Sequence, residues 1–287
     1  MKAAATPGTR RWAVCADDYA LDGGAVEGIV DLIERGRVTA TSALVDSPHW
    51  PGAASALPDD VRRGTMERRA DVGLHLNLTQ SFGGKSSTVW SLPELIARCA
   101  VHAIARAPLR AAIARQLDAF ENALGRGPDY IDGHQHVHQF AIVRGELITA
   151  LMQRYPRHLP WLRSTRPPTG VVDPKARTIS ALGDRRMRDL ALAAHFRTTR
   201  YLVGVYDFEA RLETYWQRLM HWMDAGPDGT VLMCHPASRM DPADPITSAR
   251  SMEYAALGSS RFLEALATAR IALTTGTRLL TPAAPAA

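Results

Sequence analysis

Short apolar runs that close on or carry a polar residue recur along this chain, with stretches of helical spacing between them. Residues 12–16 (Trp-Ala-Val-Cys-Ala) end at Asp17, 161–164 (Trp-Leu-Arg-Ser) carry Arg163 within them, and 230–234 end at His235. Within 71–79, Val72, Leu74, Leu76 and Leu78 alternate with Gly73, His75, Asn77 and Thr79, the period of a strand with two unlike faces. A further β-rich run covers 39–45. Between these runs, Val26, Ile29, Val30 and Ile33 keep helical spacing before a C-capping Gly36. Leu109, Ile113, Leu117, Phe120 and Leu124 make a second stripe, which Gly125 to Pro128 terminates. Strands alternating with helices build a parallel sheet. In a (β/α) barrel the C-terminal strand ends converge on one mouth, so polar residues far apart in sequence meet there. The expected fold is therefore α/β: one domain, a distorted (β/α) TIM-like barrel over 11–280, with flexible tails at 1–10 and 281–287. The irregular segment 83–110 is expected to shape the entrance as a lid or inserted helix.

The densest chemistry lies at 130–138, Tyr-Ile-Asp-Gly-His-Gln-His-Val-His. If this run is an extended strand, His134, His136 and His138 share one face. Histidine is the commonest metal ligand and the proton carrier of neutral pH. An aspartate with two imidazoles forms an N,N,O site suited to zinc or a related divalent ion, with a position left for water. Magnesium prefers more oxygen ligands. Asp17-Asp18 closes a strand, and two adjacent carboxylates can divide the work of holding a cation and accepting a proton. His75 stands on the polar face of its run, and His235 at a strand end can serve as a general acid. Arg163 fits either a bidentate carboxylate partner or an ordinary surface ion pair.

Bulk properties narrow the alternatives. The composition is 46% hydrophobic and 22% charged, that of a globular chain with material for a core. A net charge of +5 comes from scattered arginines with no basic stripe, so nucleic acid is not an expected partner. Cys15, Cys99 and Cys234 are far apart, which suggests neither a disulfide framework nor a zinc ribbon. The N-terminus lacks an apolar signal-peptide core and no run is long enough to span a bilayer, so the expected location is cytoplasmic.

Four segments in order, Ala16-Asp17-Asp18-Tyr19, the run 73–79, the run 132–138 and Met233-Cys234-His235-Pro236, resemble the YdjC-like carbohydrate deacetylases, a group that includes chitooligosaccharide and hopanoid-associated members. The stretch 34–42 looks similar as well. The resemblance implies a distorted barrel and metal-dependent removal of an N-acetyl group from an amino sugar or oligosaccharide, free or lipid-linked. It further implies Asp17 as base, His235 as acid, and Asp18, His75 and His134 around one divalent ion, zinc or magnesium. Tyr19, Arg163, His136 and His138 are candidates for binding or orienting the substrate. The chain departs from the family pattern at Cys15, Tyr19, Ala20 and Ala141, where asparagine, phenylalanine, glycine and proline are common. A homo-oligomer is compatible with this reading. The rival readings are another metal-dependent hydrolase, such as a phosphoesterase, a nucleic-acid-binding protein, and a catalytically dead carbohydrate-binding relative.

Overall fold

A computed structural model describes residues 8–83 and 89–281; most of both expected tails, and part of the segment 83–110, lie outside these. Eight strands form one parallel sheet: β1 (Arg10–Tyr19), β2 (Ala40–Ala43), β3 (Asp71–Leu76), β4 (Tyr130–Gly133), β5 (Trp161–Leu162), β6 (Tyr201–Val203), β7 (Thr230–Cys234) and β8 (Ile271–Leu273). Their order is β5-β4-β3-β2-β1-β7-β6, with β8 beside the start of β1. The sheet curls until its two ends meet: Leu162 bridges Thr198, and the Leu202 amide donates to the Arg166 carbonyl. The architecture is the expected single-domain, distorted barrel, with a thin seam between β5 and β6. Arg10 already belongs to β1.

The helices pack where their apolar stripes dictate. Asp22 caps the helix Gly23–Glu34 by accepting from the Ala25 amide, and Ala25, Ile29, Leu32 and Ile33 turn inward. The helix Arg106–Leu124 buries Leu109, Ile113, Leu117 and Phe120 and stops at Gly125, whose φ of 68° is left-handed. Its buried Gln116 bonds both the amide and the carbonyl of Asn77, fixing the exit of β3. The segment 83–110 supplies a helix, Leu92–Ala100, whose first residue borders the central cavity.

Strand alternation sorts the interior into two layers. Trp12, Val14 and Ala16 join the large core between sheet and helices, whereas Ala13 and Cys15 join a smaller core inside the curl with Ala40, Tyr130, Trp161, Leu202, Val231 and Met233. Tyr130 stacks on Trp161 with ring centroids 4.1 Å apart. Gly73 makes this possible, because a Cβ there would lie 2.5 Å from the Tyr130 ring. The segment after β8 plugs the floor, where the Thr277 amide and the Trp161 indole donate to Asp71. One step further along each strand the inward residue turns polar: Asp17, Ser42, His75, Asp132, Arg163 and His235.

Candidate active site

Neighbouring residues of a regular strand point to opposite faces, so Asp17 and Asp18 would not ordinarily share a site. A bulge changes this. Ala16 pairs with Thr41 and Tyr19 with Ala43, so two aspartates oppose the single residue Ser42. Asp18 takes the extra position with a left-handed φ of 63°. Both carboxylates then border the cavity, while Tyr19 turns outward and its hydroxyl donates to the Ala53 carbonyl at 2.7 Å. Tyr19, a sequence candidate for substrate contact, is thus a core residue.

Asp18, His75 and His134 converge. Asp18 Oδ1 lies 3.0 Å from His134 Nδ1 and 3.4 Å from His75 Nε2, and the three donor atoms fall within 4.8 Å of one another. Bonds of about 2.0–2.1 Å to a tetrahedral ion put ligand atoms roughly 3.3–3.4 Å apart, and the two edges that meet at Asp18 lie near that spacing. The far nitrogen of His75 meets Asp132 Oδ1 at 2.7 Å, leaving Nε2 to face the triangle. A carboxylate behind an imidazole is the usual support for a metal-binding histidine. Burial pushes His75 down, but Asp132 and Asp17 outweigh it and lift the ring to about 10. Asp18 is held well below the usual carboxylate range: burial opposes ionisation, and Arg250 and His134 more than offset it. Arg250 reaches Asp18 Oδ2 at 2.7 Å and Asp244 at 2.7 Å.

Asp17 stands beside the triangle, its Oδ2 3.9 Å from His75 Nε2. Arg163, with a fully buried side chain, grips both its oxygens, one at 2.7 Å, and reaches Asp132 at 2.9 Å. Of the two partners the sequence left open to Arg163, the structure has the bidentate carboxylate rather than a surface ion pair. Burial raises the Asp17 carboxyl, yet Arg163 and His75 outweigh it and keep it ionised. Ser42 donates to Asp132 at 2.6 Å.

The histidine run is not an extended strand. β4 ends at Gly133, and His134–Gln139 form a tight helical turn in which Gln135 and His136 have φ of 52° and 61°. A side chain at Gly133 would put its Cβ 2.8 Å from the His138 amide, so the glycine lets the chain double back. The three histidines therefore part company. His134 joins the triangle, and His136 borders the cavity with Nδ1 buried and unpartnered among the described residues. His138 turns away and meets the Arg163 carbonyl at 2.9 Å, so it supports the strand end instead of touching substrate. His235 lines the cavity at the end of β7, and burial takes its ring down to about 4, against Asp18 and Asp17. The cavity holds about 580 Å3, within the range of small-molecule sites, and Leu21, Phe82, Leu92, Tyr206 and Phe208 complete its walls.

The sequence profile of the YdjC-like proteins matches residues 11–268. The chain belongs to the YdjC-like family. Among its relatives is a chitooligosaccharide deacetylase of Serratia marcescens, 26% identical over 230 residues that cover 78% of this chain and 80% of that one. A mouse carbohydrate deacetylase is 33% identical over 140 residues, 45% of this chain and 43% of that protein. The fold is similar to a crystal structure from Enterococcus faecalis V583, provisionally named a cellobiose-phosphate cleavage protein. The TM-score is 0.68 at 22% identity, with 96% of this chain and all of that one covered. A peptidoglycan N-acetylglucosamine deacetylase superposes with a TM-score of 0.53 at 11% identity over 96% of this chain and 90% of that one.

Four contributors to this YdjC-like site were missed at the level of sequence. Asp132 had a visible signal, since it alternates with Tyr130 on the inward face of β4. Ser42 had a weaker one, as a hydroxyl inside a buried strand. Arg250 and Glu253 lie on the helix Thr247–Gly258, where Arg-x-x-Glu reads as a surface ion pair; both are buried. No helix among the described residues is long and apolar enough to cross a membrane.

Proposed function

We propose that this chain is a metal-dependent deacetylase that removes the N-acetyl group from an amino sugar or oligosaccharide. The observation that carries the reading is the donor triangle of Asp18, His75 and His134 at a cavity that Asp17 and His235 also line. Its relatives named as carbohydrate deacetylases support the substrate class. Two imidazole nitrogens and one carboxylate favour zinc over magnesium. The ion supplies Lewis acidity, polarising the acetyl carbonyl and acidifying water.

Asp17 is the base. Arg163 fixes both its oxygens, so it is ionised and aimed before substrate arrives, and it accepts a proton from the attacking water. His235 delivers a proton to the sugar nitrogen as the carbon–nitrogen bond breaks. Since burial keeps His235 neutral at neutral pH, it brings no stored proton. It therefore first accepts the proton that Asp17 took from water and passes it to the leaving nitrogen, so the balance closes with acetic acid and an amine, which ionise to acetate and an ammonium group. His136 borders the cavity, which supports its reading as a substrate-contacting residue.

The test is acetate release from a panel of N-acetylated sugars by zinc-loaded protein, with Asp17→Asn alongside. The variant should lose about a hundred- to ten-thousandfold in turnover while binding zinc as before. Full activity in Asp17→Asn removes the base assignment, and phosphate release without acetate release would favour the phosphoesterase reading.

A further inference from the structure

An imidazole that moves protons is ordinarily oriented by a hydrogen bond on its far nitrogen. His235 lacks one: its Nδ1 is buried and has no partner among the described residues. The ring must be held by its backbone and by what packs on it. The backbone amide of His235 donates to one carboxylate oxygen of Glu253, and the Tyr206 hydroxyl donates to the other at 2.7 Å. Tyr206 leads two residues on to Phe208, whose ring meets His235 edge-on at 5.1 Å and lies 5.0 Å from the Tyr206 ring. Phe208 adopts a left-handed φ of 60°, unusual for an aromatic residue and sustained only by its surroundings.

We infer that Glu253 is the positioning residue of His235, clamping through one carboxylate both the strand end that carries the ring and the segment that packs against it. This rests on the deacetylase reading for its catalytic consequence. Glu253 is 1% exposed, and burial raises its carboxyl to about 7 against the His235 amide and Tyr206 hydroxyl. So deep a carboxyl is costly unless its bonds serve a purpose. One turn earlier on the same helix, Arg250 holds Asp18, so the helix Thr247–Gly258 reaches both the donor triangle and the proposed acid.

The test is a cycle of Glu253→Leu and His235→Ala, read as kcat, KM and zinc affinity. Glu253→Leu should lower kcat about ten- to a hundredfold, with KM and zinc affinity within about twofold of wild type. In the His235→Ala background the same change should cost less than about twofold, because the group it acts through is gone. Glu253→Gln, whose carbonyl can accept from His235 and whose amide can donate to Tyr206, should recover turnover to within about threefold. Losses that multiply across the cycle, or a parallel fall in zinc affinity, would overturn the assignment. Tyr206→Phe removes half of the clamp and should lower kcat by a smaller factor, which keeps the question open to measurement if Glu253→Leu does not fold. The ring carbon–proton signal of His235 by NMR gives a readout free of activity: it should broaden or split in Glu253→Leu. An unchanged signal refutes the clamp, whereas a changed signal together with a wild-type protein that releases no acetate refutes the deacetylase reading alone.

Discussion

Arg163 offers the sharpest test of how this site is held together. Its guanidinium is the shared partner of Asp17 and Asp132, and none of the three side chains is more than 3% exposed. Arg163→Met keeps an unbranched apolar stem of similar reach and leaves two carboxylates facing each other in a dry interior. Removing one partner of a buried ion pair costs about 3–5 kcal/mol. At roughly 2–4 °C per kcal/mol, the melting temperature at pH 7.5 should fall by about 6–20 °C. The pH dependence adds a second constraint. In the wild type, burial raises the Asp132 carboxyl but Arg163 and His75 outweigh it and bring it to about 2, below its unfolded value. Its stabilising contribution is complete above the unfolded value near 4 and is lost as pH falls toward 2. Without Arg163, burial and mutual repulsion raise both carboxyls, with His75 left to oppose them. The penalty of the variant is then largest at neutral pH and shrinks on acidification as they protonate. Thermal melts of both proteins from pH 7.5 to 4.5 should therefore converge. A drop of less than about 2 °C at pH 7.5, or a gap constant across the range, would refute the reasoning.

Two further outcomes follow from the same geometry. His75, lifted to about 10 by Asp132 and Asp17 against burial, carries a proton that a cation must displace, so zinc affinity should rise about tenfold per pH unit between roughly pH 6 and 9. Competition against a zinc chelator measures this, and a flat profile would remove His75 from the donor set. Gly73→Ala drives a methyl group against the Tyr130 ring, which cannot retreat because it stacks on Trp161 and its hydroxyl lies 2.8 Å from Ser42. Denaturant melts should show a loss of about 1–3 kcal/mol; no loss would mean that the interior of the curl is loosely filled.

Much of the fold was legible because its strongest strands carry their own period. The alternation in 71–79 placed His75 on the inward face, and the runs ending at Asp17 and His235 marked two strand ends at the mouth. β6 and β8 have three residues each, too short for any period to register, and what fixes them is pairing with β7 and β1. The histidine run misled because alternation in sequence looks the same in a strand and in a tight turn. The difference lies in Gly133, which allows a reversal that no neighbouring strand resists, since β3 ends at Leu76. Arg250 and Glu253 were invisible for another reason: their burial depends on where the helix Thr247–Gly258 docks, a fact of tertiary packing and not of spacing.

The single extra residue in β1 has a consequence for how such a site can change. Asp17 and Asp18 reach the same cavity only because Ser42 is opposed by two residues at that point. Deleting either would restore an even pleat with Tyr19 still opposite Ala43, and would leave one acid group facing Ser42 where there are now two. Substitutions can tune these two positions separately, but loss of the extra residue leaves a single carboxylate that cannot both join the donor triangle and accept a proton.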